Sequence, residues 1–312
     1  MSPAEIENTL RAHLKKLLPH HWVRDVYEYA TLPGGKLFRP NLVWSILKDI
    51  NPDLYLRSFN KSYSDHALLA SSVEFHHCYT LIHDDLPCMD DDTERRGKPC
   101  THIKYGQWQA LLSGDGLLNI SYQLLSKTNA PRSLEVIRFF SWALGPKGLI
   151  HGQVMDLSHE MTANFQSTLR THELKTARLI QVAILASACL ASDKNLQREK
   201  KLWKYSKLLG INFQLLDDLS ELTAVDLSQH ERDVNPWLHH CHECFSATMK
   251  SLQNFNHVSD QLKLTETNKI ICEYYKKMLK DILDNQEIIE NHLEKKISLL
   301  PIISLIENFS ET

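Results

Sequence analysis

The stretch "HALLASSVEFHHCYTLIHDD", His66 to Asp85, is apolar around almost its whole helical circumference and then ends in two adjacent carboxylates. A helix with no polar stripe is buried inside a bundle. Two more stretches read the same way. "LKTARLIQVAILASACLA" (174–191) is apolar nearly all round, and "LWKYSKLLGINFQLLDDLSEL" (202–222) is apolar on most sides and closes on Asp217-Asp218. Burying a bare carboxylate costs several kcal/mol unless a cation or hydrogen bonds compensate it. The sequence therefore predicts an all-α protein in which two central helices end in acidic pairs that call for cations.

Composition supports this. Of 312 residues, 43% are hydrophobic, enough for a sizeable core. Ten glycines and eleven prolines amount to about 3% of the chain each, against a usual glycine share of about 7%, so loops are few. Breaks are predicted at "TLPGGKLFRP" (31–40), "LPCMDDDTERRGKP" (86–99), "ALGPKG" (143–148) and about 223–236, leaving about ten helical segments and no sheet. No linker or repeat divides the chain, which predicts one helical domain over 1–312. Near its end, Ile271, Tyr275, Met278, Ile282 and Ile289 recur at helical spacing; residues 241–312 carry no chemical motif.

A net charge of −3 gives no global attraction to nucleic acid. The N-terminus lacks a signal-peptide core, and the longest continuous apolar stretch, 182–191, is short for a bilayer span. Seven scattered cysteines, odd in number, read as reduced thiols; "HHCHEC" (239–244) has no second CxxC to complete a zinc site. The expectation is a cytoplasmic protein.

Hard divalent cations such as Mg²⁺ take oxygen ligands, commonly one or two carboxylates plus substrate phosphates. Asp217 and Glu221 stand one helical turn apart with Asp218 beside them. Asp84 and Asp90, flanking Asp85, are six positions apart, so the turn at Pro87 must distort for both to reach one ion. Cations stand nearby in sequence: Lys36 and Arg39 on one face after a glycine pair, Arg95-Arg96 after the first acidic cluster, and His77 and Lys175 within buried helices. Guanidinium groups grip phosphate bidentately, and an ammonium adds a point charge. Together these groups describe a site for two polyphosphates, one held through metal and one by bare cations.

"GGKLFRP", "SVEFHHCYTLIHDDLPCMDDDTERRGKPCTHIKYG", "HGQVMDL" (151–157), "ELKTARLI" (173–180) and "GINFQLLDDL" (210–219), in this order, resemble the motifs of the trans-isoprenyl diphosphate synthases, most closely the bacterial farnesyl diphosphate synthase type. They cover about 20–240. The resemblance implies a helical bundle around an apolar cavity, a homodimer, and condensation of isopentenyl diphosphate with an allylic prenyl diphosphate. It implies that Asp84 and Asp90 bind two Mg²⁺ ions and Asp217 a third on the allylic diphosphate, with Arg95 and Lys175 on that same diphosphate. Lys36, Arg39, His77 and Arg96 would hold isopentenyl diphosphate, and Thr176 and Gln214 would line the pocket at the reacting carbons. Tyr79, five positions before Asp84, would be the floor that stops the growing chain, which implies farnesyl diphosphate as product.

The sequence departs from that family in two places. Glu221 stands where the second acidic motif usually ends in Asp. The following segment, "LTAVDLSQHERDVNPWL" (222–238), contains no lysine, and Arg232 takes the place of the second expected one. The rival readings are a weak or silent relative that binds prenyl diphosphates or partners an active subunit, and a class I terpene cyclase. The cyclase has no use for Lys36, Arg39 and His77.

Overall fold

Helix Asp65–Asp84 starts where Ser64, in extended conformation, accepts a hydrogen bond from Ala67 N–H and so satisfies a donor the first turn leaves open. From His66 onward, only residues of its last two turns reach solvent appreciably. The computed structural model describes residues 1–311, and these are helical apart from loops and one hairpin. They form two compact units: Met1–Ser141 with Val182–Lys194, and Trp142–Gln181 with Asn195–Thr312. Each unit draws on two separated stretches of chain, so no single cut parts them.

In the first unit, helix Asp65–Asp84 packs along Gln107–Leu125 and Phe38–Ile50. Gly114 permits the close approach to Gln107–Leu125, since a Cβ there would overlap the His83 ring. Leu68, Leu69, Val73, Phe75, Leu117, Leu124 and Phe140 form a core. Each such side chain contributes about 1.5–3 kcal/mol by leaving water. Buried polar groups are paired: His13 Nδ1 with Ser71 Oγ at 2.9 Å, His66 Nε2 with the Ser187 carbonyl at 3.1 Å, and Ser187 Oγ donating to the Val43 carbonyl at 2.7 Å.

In the second unit, helix Leu196–Glu221 packs on Cys241–Leu262. Trp237, fully buried, donates from Nε1 to the Leu215 carbonyl at 2.7 Å. The residues after 240, which carry no chemical motif, complete this core. Tyr205 stacks on Phe255 at 4.8 Å, and Phe255 meets Phe309 and Tyr275. Ile271, Tyr275, Met278, Ile282 and Ile289 are all buried, with the helix broken between Asp284 and Gln286.

Three local expectations are corrected. "ERRGKP" forms a two-stranded antiparallel hairpin, Glu94–Arg95 with Lys98–Pro99, because Arg96 (φ 56°) and Gly97 (φ 72°) both take the left-handed conformation that tight hairpin turns require. Lys36 is not on a helical face with Arg39: the helix starts at Phe38, after Leu37 at φ 48°. The helical run 165–191 is also longer than its apolar stretch indicates. It is long and apolar enough by composition to span a bilayer, but 78% of its most apolar window is buried in the protein, so it is a core helix. A π-turn, Glu173–Ala177, interrupts it.

Candidate active site

The first acidic cluster lies wholly in the first unit. Asp84 is the last residue of its helix, and the chain then folds back so that Asp90 N–H donates to the Asp84 carbonyl at 2.9 Å. Leu86 N to His83 O (3.1 Å) and Met89 N to Leu86 O (2.8 Å) build the turn around Pro87, and Asp91 (φ 53°) completes it. The six-residue gap is thereby closed. Asp84 is half-buried and Asp90 exposed. Asp85 behaves differently. It is 3% exposed and accepts from Arg95 Nε at 2.8 Å, with Arg95 Nη2 at 2.7 Å. Arg95 also bonds Asp92 at 2.5 Å. A carboxylate so engaged is an anchor for the turn.

Beside it, in the same unit, cations converge on His77. Arg39 Nη1 is 3.2 Å from His77 Nε2, which must be unprotonated to accept from it. Burial, and then the charges of Arg39 and Arg96, hold His77 well below its ordinary value. Gly35 lets Arg96 lie over the loop, since a Cβ there would come 2.5 Å from the guanidinium carbon. Buried Glu74 faces Arg39 and Arg96; burial raises its carboxyl and their charges oppose that. Lys36, just before this helix, is exposed. Tyr79, 6% exposed, sits edge-on to His76 at 4.6 Å and His83 at 5.5 Å. Burial, and next the charge of Asp84, pushes its phenol up.

The second acidic cluster lies wholly in the second unit. Gln214, Asp217, Asp218 and Glu221 are spaced three and four apart on helix Leu196–Glu221 and share one broad face. A hydrogen-bonded chain runs from Thr176 Oγ1 to Gln214 Oε1 (2.8 Å), and from Gln214 Nε2 to Asp218 Oδ1 (2.6 Å). His172 Nε2 lies 3.4 Å from Asp218 Oδ2, and Asn235 Nδ2 donates to the Asp218 carbonyl at 2.7 Å. Lys175 pairs with Asp156. Burial, then the charges of Asp217, Glu231 and Asp156, pushes Asp218 up to about 8 against the hydrogen bond from Gln214. Glu221 is pushed up to about 9 by burial and then by Asp218 and Glu231. Arg232, exposed, donates from Nε to the Leu227 carbonyl at 3.2 Å within its own segment.

Residues 20–233 match the polyprenyl synthetase family. The chain belongs to that family. It is 37% identical over 226 residues to the farnesyl diphosphate synthase of Bacillus subtilis, covering 70% of this chain and 72% of that one. It is 32% identical over 212 residues to the chloroplastic geranylgeranyl pyrophosphate synthase of Capsicum annuum, covering 65% and 54%. Its fold matches a Helicobacter pylori geranyltransferase complexed with magnesium and isoprenyl diphosphate, with a TM-score of 0.69, 25% identity, and coverage of 91% and 99%. The chain is thus an all-α member of a prenyltransferase enzyme family.

The donors of the two acidic clusters suit a divalent cation. Both offer carboxylate oxygen, the donor Mg²⁺ takes. Asp218 Oδ2 and Glu231 Oε2 are buried without a hydrogen-bond partner, and burial first, then neighbouring carboxylates, raises Asp218 and Glu221. Among the described residues, no three His, Cys, Asp or Glu side chains enclose an ion by themselves. That accords with a metal completed by substrate phosphates, and the residues fit it.

Four contributors escaped the sequence reading. Asp156 lies inside the quoted "HGQVMDL", but nothing in its spacing pairs it with Lys175 nineteen residues on. Glu231 sits in the segment noted for its missing lysines, yet brings a carboxyl to Asp218 and Glu221. His172 lies outside every stretch singled out above, and Glu74 read as part of an apolar helix. The histidine-rich composition was the only available signal for His172.

Proposed function

We propose that this chain condenses isopentenyl diphosphate with dimethylallyl or geranyl diphosphate to give farnesyl diphosphate, with Mg²⁺. The observation that carries this reading is the pairing, within one unit, of the Asp84–Asp90 turn with the cations Arg39 and Arg96 gathered at neutral His77. Those are the parts needed for one diphosphate held through metal and another held without it.

Asp84 and Asp90 in the first unit and Asp217 in the second are the proposed Mg²⁺ ligands; Glu221 and Asp218 stand beside Asp217 in the second cluster. Bound Mg²⁺ supplies charge to a departing diphosphate, stabilising it as the allylic C–O bond breaks. Lys175, in the second unit, and Arg95, in the first, where Asp85 and Asp92 leave its guanidinium open, are the proposed cationic contacts to diphosphate. Lys36, Arg39, His77 and Arg96 bind isopentenyl diphosphate and so fix its double bond, converting an encounter between two molecules into a positioned addition. Neutral His77 accepts from Arg39 and holds that guanidinium in place. Thr176 and Gln214 present polar oxygen beside the reacting carbons, and apolar helix faces exclude water that would quench a carbocation. Tyr79 ends the space for the product. A homodimer in the cytoplasm belongs to the same reading, and light scattering tests its size.

A second reading, a family member that binds prenyl diphosphates without turnover, draws on the lysine-free segment 222–238 and on Arg232 being turned to its own loop carbonyl. Mixing the purified protein with both substrates separates the two. Elongated alcohols after phosphatase treatment support the first reading. Bound, unconverted diphosphates support the second.

A further inference from the structure

Lys175 and Thr176 sit in the π-turn Glu173–Ala177, between α-helices Phe165–His172 and Arg178–Ala191. A π-turn holds one residue more than the α-helix around it and persists only where its surroundings hold it. Relaxing it to α register would rotate the residues before it by about 100° relative to those after it. Either the Lys175–Asp156 pair or the Thr176–Gln214 bond would then be lost.

Three groups hold the turn. A Cβ on Gly152, in helix Leu149–Leu157, would overlap Lys175 N and stand 2.8 Å from Leu174 C and Cβ. A Cβ on Gly210, in helix Leu196–Glu221, would overlap Ala177 Cα and Cβ. Each glycine costs its helix about 1 kcal/mol relative to alanine, so each needs a packing reason, and both reasons lie on this one turn. At the turn's first residue, Glu173 accepts from Arg178 Nη2 at 2.9 Å and from Lys207 Nζ at 2.8 Å, with Arg170 Nη1 at 3.3 Å. Arg178 is itself fixed beside the indole faces of Trp142 and Trp203, at 4.9 and 5.2 Å.

We propose that Gly152, Gly210 and Glu173 are positioning residues that keep this turn in π register and thereby aim Lys175 at the diphosphate. The inference rests on the diphosphate role of Lys175 given above. Gly152 and Gly210 act through backbone approach, and Glu173 acts through charge; none of the three touches substrate.

The test is calorimetric titration of inorganic pyrophosphate, in Mg²⁺ buffer, into the full-length protein and the variants Gly152→Ala, Glu173→Gln and Lys175→Ala, plus the doubles G152A/K175A and E173Q/K175A. Losing one charge-assisted contact weakens binding by about 10- to 100-fold in Lys175→Ala. Gly152→Ala and Glu173→Gln each weaken it by about 10-fold, and neither double binds more weakly than Lys175→Ala alone. Losses that multiply in the doubles, or unchanged affinity in both Gly152→Ala and Glu173→Gln, overturn the proposal. Glu173→Gln adds no heavy atoms, so it decides the matter if Gly152→Ala does not fold. In turnover, the same variants raise KM for the allylic diphosphate and leave KM for isopentenyl diphosphate unchanged, a split that general destabilisation does not produce. A wild-type protein that binds pyrophosphate through Lys175 but makes no prenyl product refutes the proposed reaction alone. An unchanged affinity in Lys175→Ala refutes this inference.

Discussion

Replacing Asp218 by asparagine is expected to make the protein more stable and less active. Asp218 is 5% exposed and is pushed up to about 8, chiefly by burial and then by neighbouring carboxylates. The unfolded chain releases this proton near pH 3.9, so between about pH 4 and pH 8 the folded state binds more protons than the unfolded one. Stability from this group is therefore present below about pH 4 and is lost as pH rises, at about 1.4 kcal/mol per pH unit, until the folded group itself ionises near 8. At pH 7 the accumulated cost is about 4 kcal/mol, a large part of a typical folding free energy of about 5–15 kcal/mol. The side-chain amide introduced by Asp218→Asn would keep an oxygen for Gln214 Nε2 and carry no charge, so the substitution recovers up to that amount. The assay is urea unfolding at pH 5 and pH 7.5 in EDTA. The variant gains at pH 7.5, gains far less at pH 5, and loses prenyl transfer by at least about 10-fold. Mg²⁺ with pyrophosphate then stabilises the wild type more than the variant. Equal stability of the two proteins at both pH values would refute the reasoning, because it would mean that Asp218 is not held out of water among like charges.

Three further outcomes are expected. Asp84→Asn abolishes Mg²⁺-dependent turnover while shifting the unfolding midpoint little, because Asp84 ends its helix half-exposed; a turnover within 2-fold or so of wild type would count against a metal role. Tyr79→Ala lengthens the main product by at least one five-carbon unit and costs about 3–5 kcal/mol of stability for a buried aromatic, and chromatography of the dephosphorylated products reads the change. Arg96→Gln raises KM for isopentenyl diphosphate by about 10-fold or more and leaves that for the allylic partner alone, which initial-rate kinetics with each substrate varied in turn will check.

The fold was legible where burial writes itself into periodicity. Helices apolar nearly all round at 66–85 and 174–191, and on most sides at 202–222, are core helices, and the amphipathic residues from Ile271 to Ile289 face inward. The hairpin at 94–99 escaped notice because two strands of two residues leave no alternation to read; its only trace is the Arg-Gly pair at positive φ. The π-turn was invisible for a related reason: one inserted residue does not disturb an apolar run that has no polar face to displace. At the site, residue types and spacing identified the acidic and cationic groups but not their division of labour. Asp84 and Asp85 are neighbours of identical chemistry, yet one remains half-exposed at the helix end and the other is turned inward onto Arg95. Side-chain direction at a helix end is set by the returning loop, and the partner that fixes it lies ten residues downstream. The same holds for Lys175, whose partner Asp156 belongs to another helix.

The most direct test of the central claim is a product assay with purified protein, isopentenyl diphosphate, and dimethylallyl or geranyl diphosphate, run with Mg²⁺ and again with excess EDTA. The account predicts farnesyl diphosphate with Mg²⁺ and none with EDTA. Both diphosphates bound with no elongation under either condition would contradict it.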